Sequence, residues 1–373
     1  MSSPPVISFR VLMTSVVSAL LVGVVASLAI RPPGQSAIRV DNADGQTLEE
    51  VRWRTPIAFN SKLPVLGEQI VHLVEHLEQA SAGAVVLQPF EPGELVPTFG
   101  ITEAVKDAKV PAGFTYIGYD QGRIPASTLL SAVPFGMEPY EFIAWWYHGG
   151  GRELGEAVYH EHQVHLLLCG VLGPETAGWF RFPIRSLDDL KGLKIRFAGL
   201  GGKVLQELGA SVTMMPGSEI FQALEKGAID ATEFSQPVVD QMLGFDRVAK
   251  FNYFPGWHQP GSGAHLLVNL DLWNGLNEAT RSLISLACRA NVSYTMSRSE
   301  SLQGEVLREF PDKGVTAETL PLEILEALQE VTEQVLDEEA EKDPWFARVL
   351  QSQREFSETY DLWKRKAFLP PEL

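Results

Sequence analysis

The chain has 373 residues, of which 45% are hydrophobic and 21% charged; at roughly 100–200 residues per domain this predicts two domains with their own cores, and excludes a disulfide-stapled miniature or a disordered chain. Thirty Lys+Arg against 47 Asp+Glu leave a net charge of −17. Nucleic-acid phosphates and anionic membrane surfaces are repelled by that balance at long range, so nucleic acid is excluded as a partner.

Arg10 precedes an unbroken apolar run, Val11 to Ile30. A basic residue ahead of such a run is the pattern of an export signal over residues 1–30, and Ser27-Leu28-Ala29 follows the small-x-small cleavage pattern; the run is also long enough to serve as an uncleaved anchor. Either way the rest of the chain lies outside the cytoplasm. Cys169 and Cys288 are the two cysteines. An oxidising compartment permits their pairing, and the expectation is two buried apolar cysteines.

Val51 to Phe59 reads as a strand ending at Asn60-Ser61. Leu66, Ile70, Val71, Leu73, Val74 and Leu77 then recur at helical spacing, Ala82-Gly83 closes that helix, and Ala84 to Phe90 is an apolar strand. This βαβ grammar predicts parallel pairing. It returns in the middle of the chain: a capping sequence at Ser186, a strand Leu193 to Phe197, a glycine-rich turn Ala198 to Gly202, a short helix Lys203 to Leu208, a strand Ser211 to Met215, a helix Pro216 to Lys226 and a strand Ala228 to Phe234. That order belongs to a doubly wound α/β domain. Glu278 to about Phe310 predicts one helix of about 45 Å, and Leu322 to Glu341 and Trp345 to Lys366 predict two amphipathic acidic helices.

His72, Glu75 and His76 fit the H-x-x-E-H spacing of inverted zinc peptidases, which makes a zinc hydrolase one reading; the plainer one is the solvated face of an amphipathic helix. His160, Glu161, His162 and His165 also approach metal-ligand spacing, although His160 and His162 are expected in a loop before the strand Val164 to Leu168. Neither G-x-S-x-G nor G-x-x-x-x-G-K-[ST] occurs, and the run Gly199 to Gly202 lacks the third glycine of a dinucleotide fingerprint. Arg196 and Glu233 lie at strand carboxyl ends, where open α/β sheets collect ligands. The Arg196 fork suits a carboxylate, with a structural ion pair as the plainer role. Glu233, among apolar neighbours, needs a cation or several donors.

Trp179-Phe180, Leu190 to Arg196, Gly199, Ala223 to Glu233 and Gly244-Phe245 resemble the receptor subunit of the tripartite ATP-independent periplasmic (TRAP) transporters. Pro134-Phe135-Gly136, Trp146 to Gly151 and Tyr253 to Trp257 are similar to its branch for 2-oxo acids and related short carboxylates. The resemblance extends from about Val51 to the C-terminal helices.

It implies a two-lobed periplasmic-binding-protein-like α/β fold with a mainly parallel sheet in each lobe. Lobe I would comprise residues 31–160 and about 262–300, lobe II residues 161–261, and residues 301–373 the long bridging helix and C-terminal helices. Arg196 takes the family's place for the substrate carboxylate. A bridging cation, Na⁺ or Ca²⁺, is implied at Glu175, Glu233, the Phe234 carbonyl and Gln259. Glu175 and Gln259 exchange the family's glutamine and glutamate, conserving two carboxylates and one amide, and Phe234 replaces a tryptophan. Tyr119, Trp257 and His258 would shape the pocket. The implied protein is a receptor without catalytic turnover or organic cofactor that delivers a small organic acid to TRAP membrane subunits and pairs as a homodimer; the same fold feeding a membrane-tethered sensor is the other binding reading.

Overall fold

The computed structural model describes residues 47–369; the apolar run Val11 to Ile30 lies outside the described residues. β1 (Val51–Pro56) alternates buried and exposed side chains over its first four residues. α1 (Glu68–Ala80) turns Ile70, Leu73 and Leu77 inward, and β2 (Val85–Phe90) returns parallel to β1 with Val51 opposite Val85. The first βαβ unit is therefore present, with Ala82 and Gly83 at positive φ where the helix ends.

α2 (Ile101–Lys106) leads into β3 (Ala112–Thr115), and α3 (Pro139–His148) and α4 (Gly151–His160) into β4 (Val164–Leu172), whose every residue is buried. β5 (Gly178–Phe180) follows with no helix between. A single turn, Leu187–Leu190, carries the expected capping box from Ser186 and Asp189. The central run is β6 (Lys194–Arg196), α5 (Leu200–Glu207), β7 (Ser211–Thr213), α6 (Gly217–Glu225) and β8 (Ala231–Thr232), with β6 parallel to both β7 and β8.

The glycine run differs from expectation. Gly199 alone makes the turn, at φ 69°, while Gly201 and Gly202 already belong to the first turn of α5. Gly201 is needed for space: a Cβ there would lie 2.5 Å from the Phe197 ring and 2.8 Å from the His258 Cβ.

The chain continues through α7 (Pro237–Met242), α8 (Phe245–Val248), β9 (Phe251–Phe254), β10 (Ser262–Asn269) and α9 (Leu270–Gly275). It ends with α10 (Glu278–Glu309), β11 (Thr316–Thr319), α11 (Leu322–Lys342) and α12 (Pro344–Ala367). The strands form sheets ordered β1-β2, β3-β10-β4 and β11-β9-β5-β8-β6-β7. β5 and β10 run antiparallel to both of their neighbours. Both pass directly from one larger sheet into the other, and a strand that arrives without a helical crossover is under no constraint to be parallel.

The 32-residue α10 packs on β4, on α1 and on α7, the helix that follows β8 of the six-stranded sheet. Among the described residues no helix is long and apolar enough to cross a membrane. Cys169 on β4 and Cys288 on α10 form a disulfide, correcting the expectation of two buried apolar thiols. Their separation of 119 residues concealed the pair, which exists because α10 lies across β4. Below the sheet end, Trp179 Nε1 donates to Asp240 Oδ2 at 2.9 Å while Oδ1 has no partner, and burial pushes the Asp240 carboxyl well above its usual range.

Replacing Cys169 and Cys288 together with alanine is expected to remove about 2–5 kcal/mol of stability, read as a lower denaturant midpoint; equal midpoints would refute a stabilising bridge. A carboxyl whose folded pKa is raised stabilises fully only below its unfolded value, and that contribution is lost as pH rises through the folded value. Asp240→Asn should therefore melt close to the parent at pH 4 and above it at pH 8, whereas a pH-independent difference would contradict the assignment.

Candidate functional site

Arg196 is the last residue of β6, and Glu233 directly follows β8, in which Thr232 lies opposite Arg196. The parallel register thus brings both expected side chains to one sheet end. Arg196 Nη1 donates to Glu233 Oε2 and to the Glu233 carbonyl, each at 2.6 Å, and Nε donates to the Met215 carbonyl at 3.2 Å. The guanidinium also lies 5.2 Å from the Phe234 ring centroid. The Tyr119 hydroxyl also hydrogen-bonds the guanidinium. The structural ion pair weighed for Arg196 is present.

The other groups come from two of the segments that cross between the larger sheets. Glu175 lies between β4 and β5, and His258 and Gln259 lie between β9 and β10. These segments touch because residue 256 is glycine: a Cβ on Gly256 would meet the Glu175 carbonyl oxygen at 2.2 Å. The Glu175 N–H donates to the Gln259 carbonyl at 3.2 Å. Ser262 Oγ donates to Glu175 Oε1 and Gln259 Nε2 to Glu233 Oε1, each at 3.5 Å, and the Ala198 N–H donates to Glu233 Oε2 at 3.2 Å.

His258 Nε2 stands 3.6 Å from Glu175 Oε2 and 3.5 Å from Glu233 Oε1, within ion-pair range of both carboxylates. Glu175 Oε2 and both His258 ring nitrogens are buried without hydrogen-bond partners. Glu175, Glu233 and His258 each offer a ligand atom within 4.8 Å of the others, the one such three-residue cluster of His, Cys, Asp and Glu among the described residues. Burial, with Glu233 nearby, pushes the Glu175 carboxyl up to about 7 against the opposing pull of His258 and Arg196. Burial also raises Glu233, but Arg196, His258 and the Ala198 N–H outweigh it and hold that carboxyl below its usual range. Burial lowers His258, and the two glutamates reverse the shift.

Arg196, Ala198, Glu175, Glu233, Gln259 and Ser262, but not His258, line a cavity of about 20 Å³ whose remaining wall includes Phe59, Leu66, Tyr116, Tyr119, Leu172 and Phe234. Burial pushes the Tyr119 hydroxyl up to about 12, so it stays protonated. Arg196 is the only Lys or Arg lining this space. The structure therefore brings Arg196, Glu175, Glu233, Phe234, Gln259 and Tyr119 together. Trp257 is not in the lining; its ring lies 5.8 Å from Phe135, 5.9 Å from Phe197 and 5.6 Å from His258. Phe59, Tyr116, Ser262 and the Ala198 N–H were not foreseen. Phe59 and Tyr116 read locally as ordinary core aromatics, and only the residue number of Ser262, three past Gln259, hinted at its place.

The zinc-peptidase reading of His72, Glu75 and His76 fails. His72 Nδ1 is bonded to Asn291 Oδ1 at 2.7 Å, and its ring is stacked between His76 and Tyr294 at 3.8 and 3.6 Å. His76 Nδ1 is bonded to the His72 carbonyl, and Glu75 is exposed. His160 closes α4 instead of lying in a loop, and His165 is stacked on Trp273 at 4.1 Å. By contrast, the donors around Glu175 fit a cation: oxygens predominate, and its buried Oε2 has no hydrogen-bond donor.

The sequence description "Bacterial extracellular solute-binding protein, family 7" (DctP) matches residues 59–343. A monocarboxylate 2-oxoacid-binding periplasmic protein of Nostoc is 35% identical over 320 residues, covering 85% of this chain and 87% of that one. Among solved structures, a TRAP transporter solute-binding protein of Bordetella bronchiseptica with calcium and picolinate bound has a TM-score of 0.84 at 29% identity, covering 86% of this chain and 95% of the other. A TRAP periplasmic protein of Pseudoalteromonas atlantica with sodium and pyruvate has 0.82 at 29%, covering 86% and 97%, and one of Colwellia psychrerythraea with calcium and pyruvate 0.82 at 30%, covering 86% and 98%. With a match over most of its length and a relative this similar, the chain belongs to the family 7 bacterial extracellular solute-binding proteins, receptors and not enzymes.

Proposed function

We propose that this receptor captures a short 2-oxo or 2-hydroxy monocarboxylate in the periplasm and delivers it to TRAP membrane subunits. The observation that carries the reading is a single guanidinium facing a buried cavity beside two carboxylates. One cationic side chain matches one carboxylate, and a second carboxylate on the guest would have no side chain to answer its charge. The 2-oxoacid-binding Nostoc relative and the pyruvate-bound neighbours support the same class.

Arg196 supplies the guanidinium without giving up Glu233. Glu175, Glu233, the Phe234 carbonyl and Gln259 hold Na⁺ or Ca²⁺, the ions named in the neighbouring structures, and such an ion supplies a hard positive charge for the guest's 2-oxygen when bound. Phe59, Tyr119 and Phe234 wall the space closely and favour short side chains. The two larger sheets act as the lobes, with residues 173–177 and 255–261 as two of the connections between them. Residues 1–30 act as the export signal. A homodimer accords with the Bordetella neighbour, described as a mixed occupancy dimer.

Arg196→Lys keeps the charge but loses the planar fork, and is expected to weaken calorimetric pyruvate affinity at least about tenfold, with Arg196→Ala weaker still. Unchanged affinity in the folded lysine variant would remove Arg196 from the site. Exhaustive chelation in sodium-free buffer should abolish pyruvate binding, and adding back Na⁺ or Ca²⁺ should restore it; full affinity without either ion would eliminate the cation.

A further inference from the structure

Two cavities meet at one pair of rings. The space beside Arg196 measures about 20 Å³, and a second, of about 180 Å³, lies at Asn60, Leu63, Pro216 and Leu243. Among the described residues Phe59 and Phe234 alone line both. Their rings meet edge to face, with centroids 6.2 Å apart and planes at 80°, and so form the wall between the two spaces. Each ring is held. Phe59 follows Ala58, whose N–H donates to the Phe114 carbonyl of β3 at 2.9 Å, and the Phe59 ring lies 6.2 Å from Tyr119. The Phe234 ring lies 5.2 Å from the Arg196 guanidinium carbon and 6.3 Å from the Phe245 ring. Residue 217, at the start of α6, is a glycine where a Cβ would stand 2.5 Å from the Phe234 ring. Rings packed this closely resist displacement, because moving one forces its neighbours out of their rotamers.

From these observations we infer that the Phe59–Phe234 pair sets the upper size of the guest, and that the cavity behind it is a latent side-chain subsite for an uncharged branched tail, opened when either ring is cut back. The inference rests on the reading above, in which Arg196 binds a 2-oxo monocarboxylate, and it names the residues that choose among such acids. Size supports it. A single water needs about 10–15 Å³ of free space, so a guest whose carboxylate lies beside Arg196 leaves no room there for a branched tail, whereas the second cavity has several times the space. Charge limits what that tail can be. Glu91 is the one charged residue lining the second cavity, where its carboxylate accepts from the Ser61 N–H at 3.1 Å and from the Ser61 hydroxyl. A tail ending in a second carboxylate would meet that negative charge with no Lys or Arg in the lining to answer it.

The test is calorimetry of the full-length protein with pyruvate, 4-methyl-2-oxopentanoate and 2-oxopentanedioate, in buffer containing Na⁺ and Ca²⁺. The unaltered protein is expected to bind pyruvate at least about tenfold tighter than the branched acid, the scale on which apolar pockets discriminate by size. Phe59→Ala is the first variant, because Phe234 also offers its carbonyl to the proposed ion. It should raise the ratio of branched-acid to pyruvate affinity at least about tenfold, with no matching gain for 2-oxopentanedioate. Phe234→Leu should move the ratio in the same direction, a readout that survives if Phe59→Ala fails to fold. Branched-acid binding as tight as that of pyruvate in the unaltered protein, an unchanged ratio in a folded variant, or an equal gain for the dicarboxylate would overturn the inference. Pyruvate binding alongside any of those results sinks the role of the ring pair alone, while no binding of any of the three acids sinks the receptor reading and this inference with it.

Discussion

Everything at this site is governed by the difficulty of keeping charge away from water. Glu175, Arg196 and Glu233 are all buried beside one sheet end, with Arg196 and the neighbouring His258 to oppose the two carboxylates. Removing one partner of such a group leaves an uncompensated buried ion, a loss of about 3–5 kcal/mol. The surroundings show how that difficulty is met. Arg196 is tied to two backbone carbonyls as well as to Glu233, so its plane is set before any guest arrives. A preset fork loses little side-chain freedom on binding, which favours affinity for a small ligand with few atoms to contribute.

The fold provides that arrangement through two different devices. Adjacent parallel strands bring Arg196 and Glu233 together, because β6 and β8 end level with one another. Glu175, His258 and Gln259 depend instead on two of the connections between sheets, and on Gly256, whose missing Cβ lets those two touch. Neither device alone makes the site. Behind it, α10 and the Cys169–Cys288 bridge hold β4, the strand from which the first connection departs.

How much of this was legible in the chain follows from the range of each interaction. The βαβ units, the capping box at Ser186 and the long helix from Glu278 are written in local periodicity and turn chemistry, and they appear nearly where expected. Arg196 and Glu233 were accessible from topology, since strand ends in open sheets are where ligands gather. The placing of Glu175 and Gln259 came from family resemblance and not from spacing. What local reading could not supply was contact between remote segments: the disulfide across 119 residues, the antiparallel course of β5 and β10, and the packing of Trp257 against Phe135 and Phe197. The glycines after Arg196 misled for the same reason, because Gly201 answers to the ring of Phe197 and to His258, not to a bend in the chain.

The two connections have a double duty. Residues 173–177 and 255–261 join the two larger sheets, as α10 does on its way from β10 to β11, and they carry Glu175, His258 and Gln259. On the proposed reading, an ion held by Glu175 and Gln259 would tie these two connections to each other. On that reading the guest's seat adjoins the stretches that link the sheets, so a filled receptor would flex less than an empty one as well as carry its cargo.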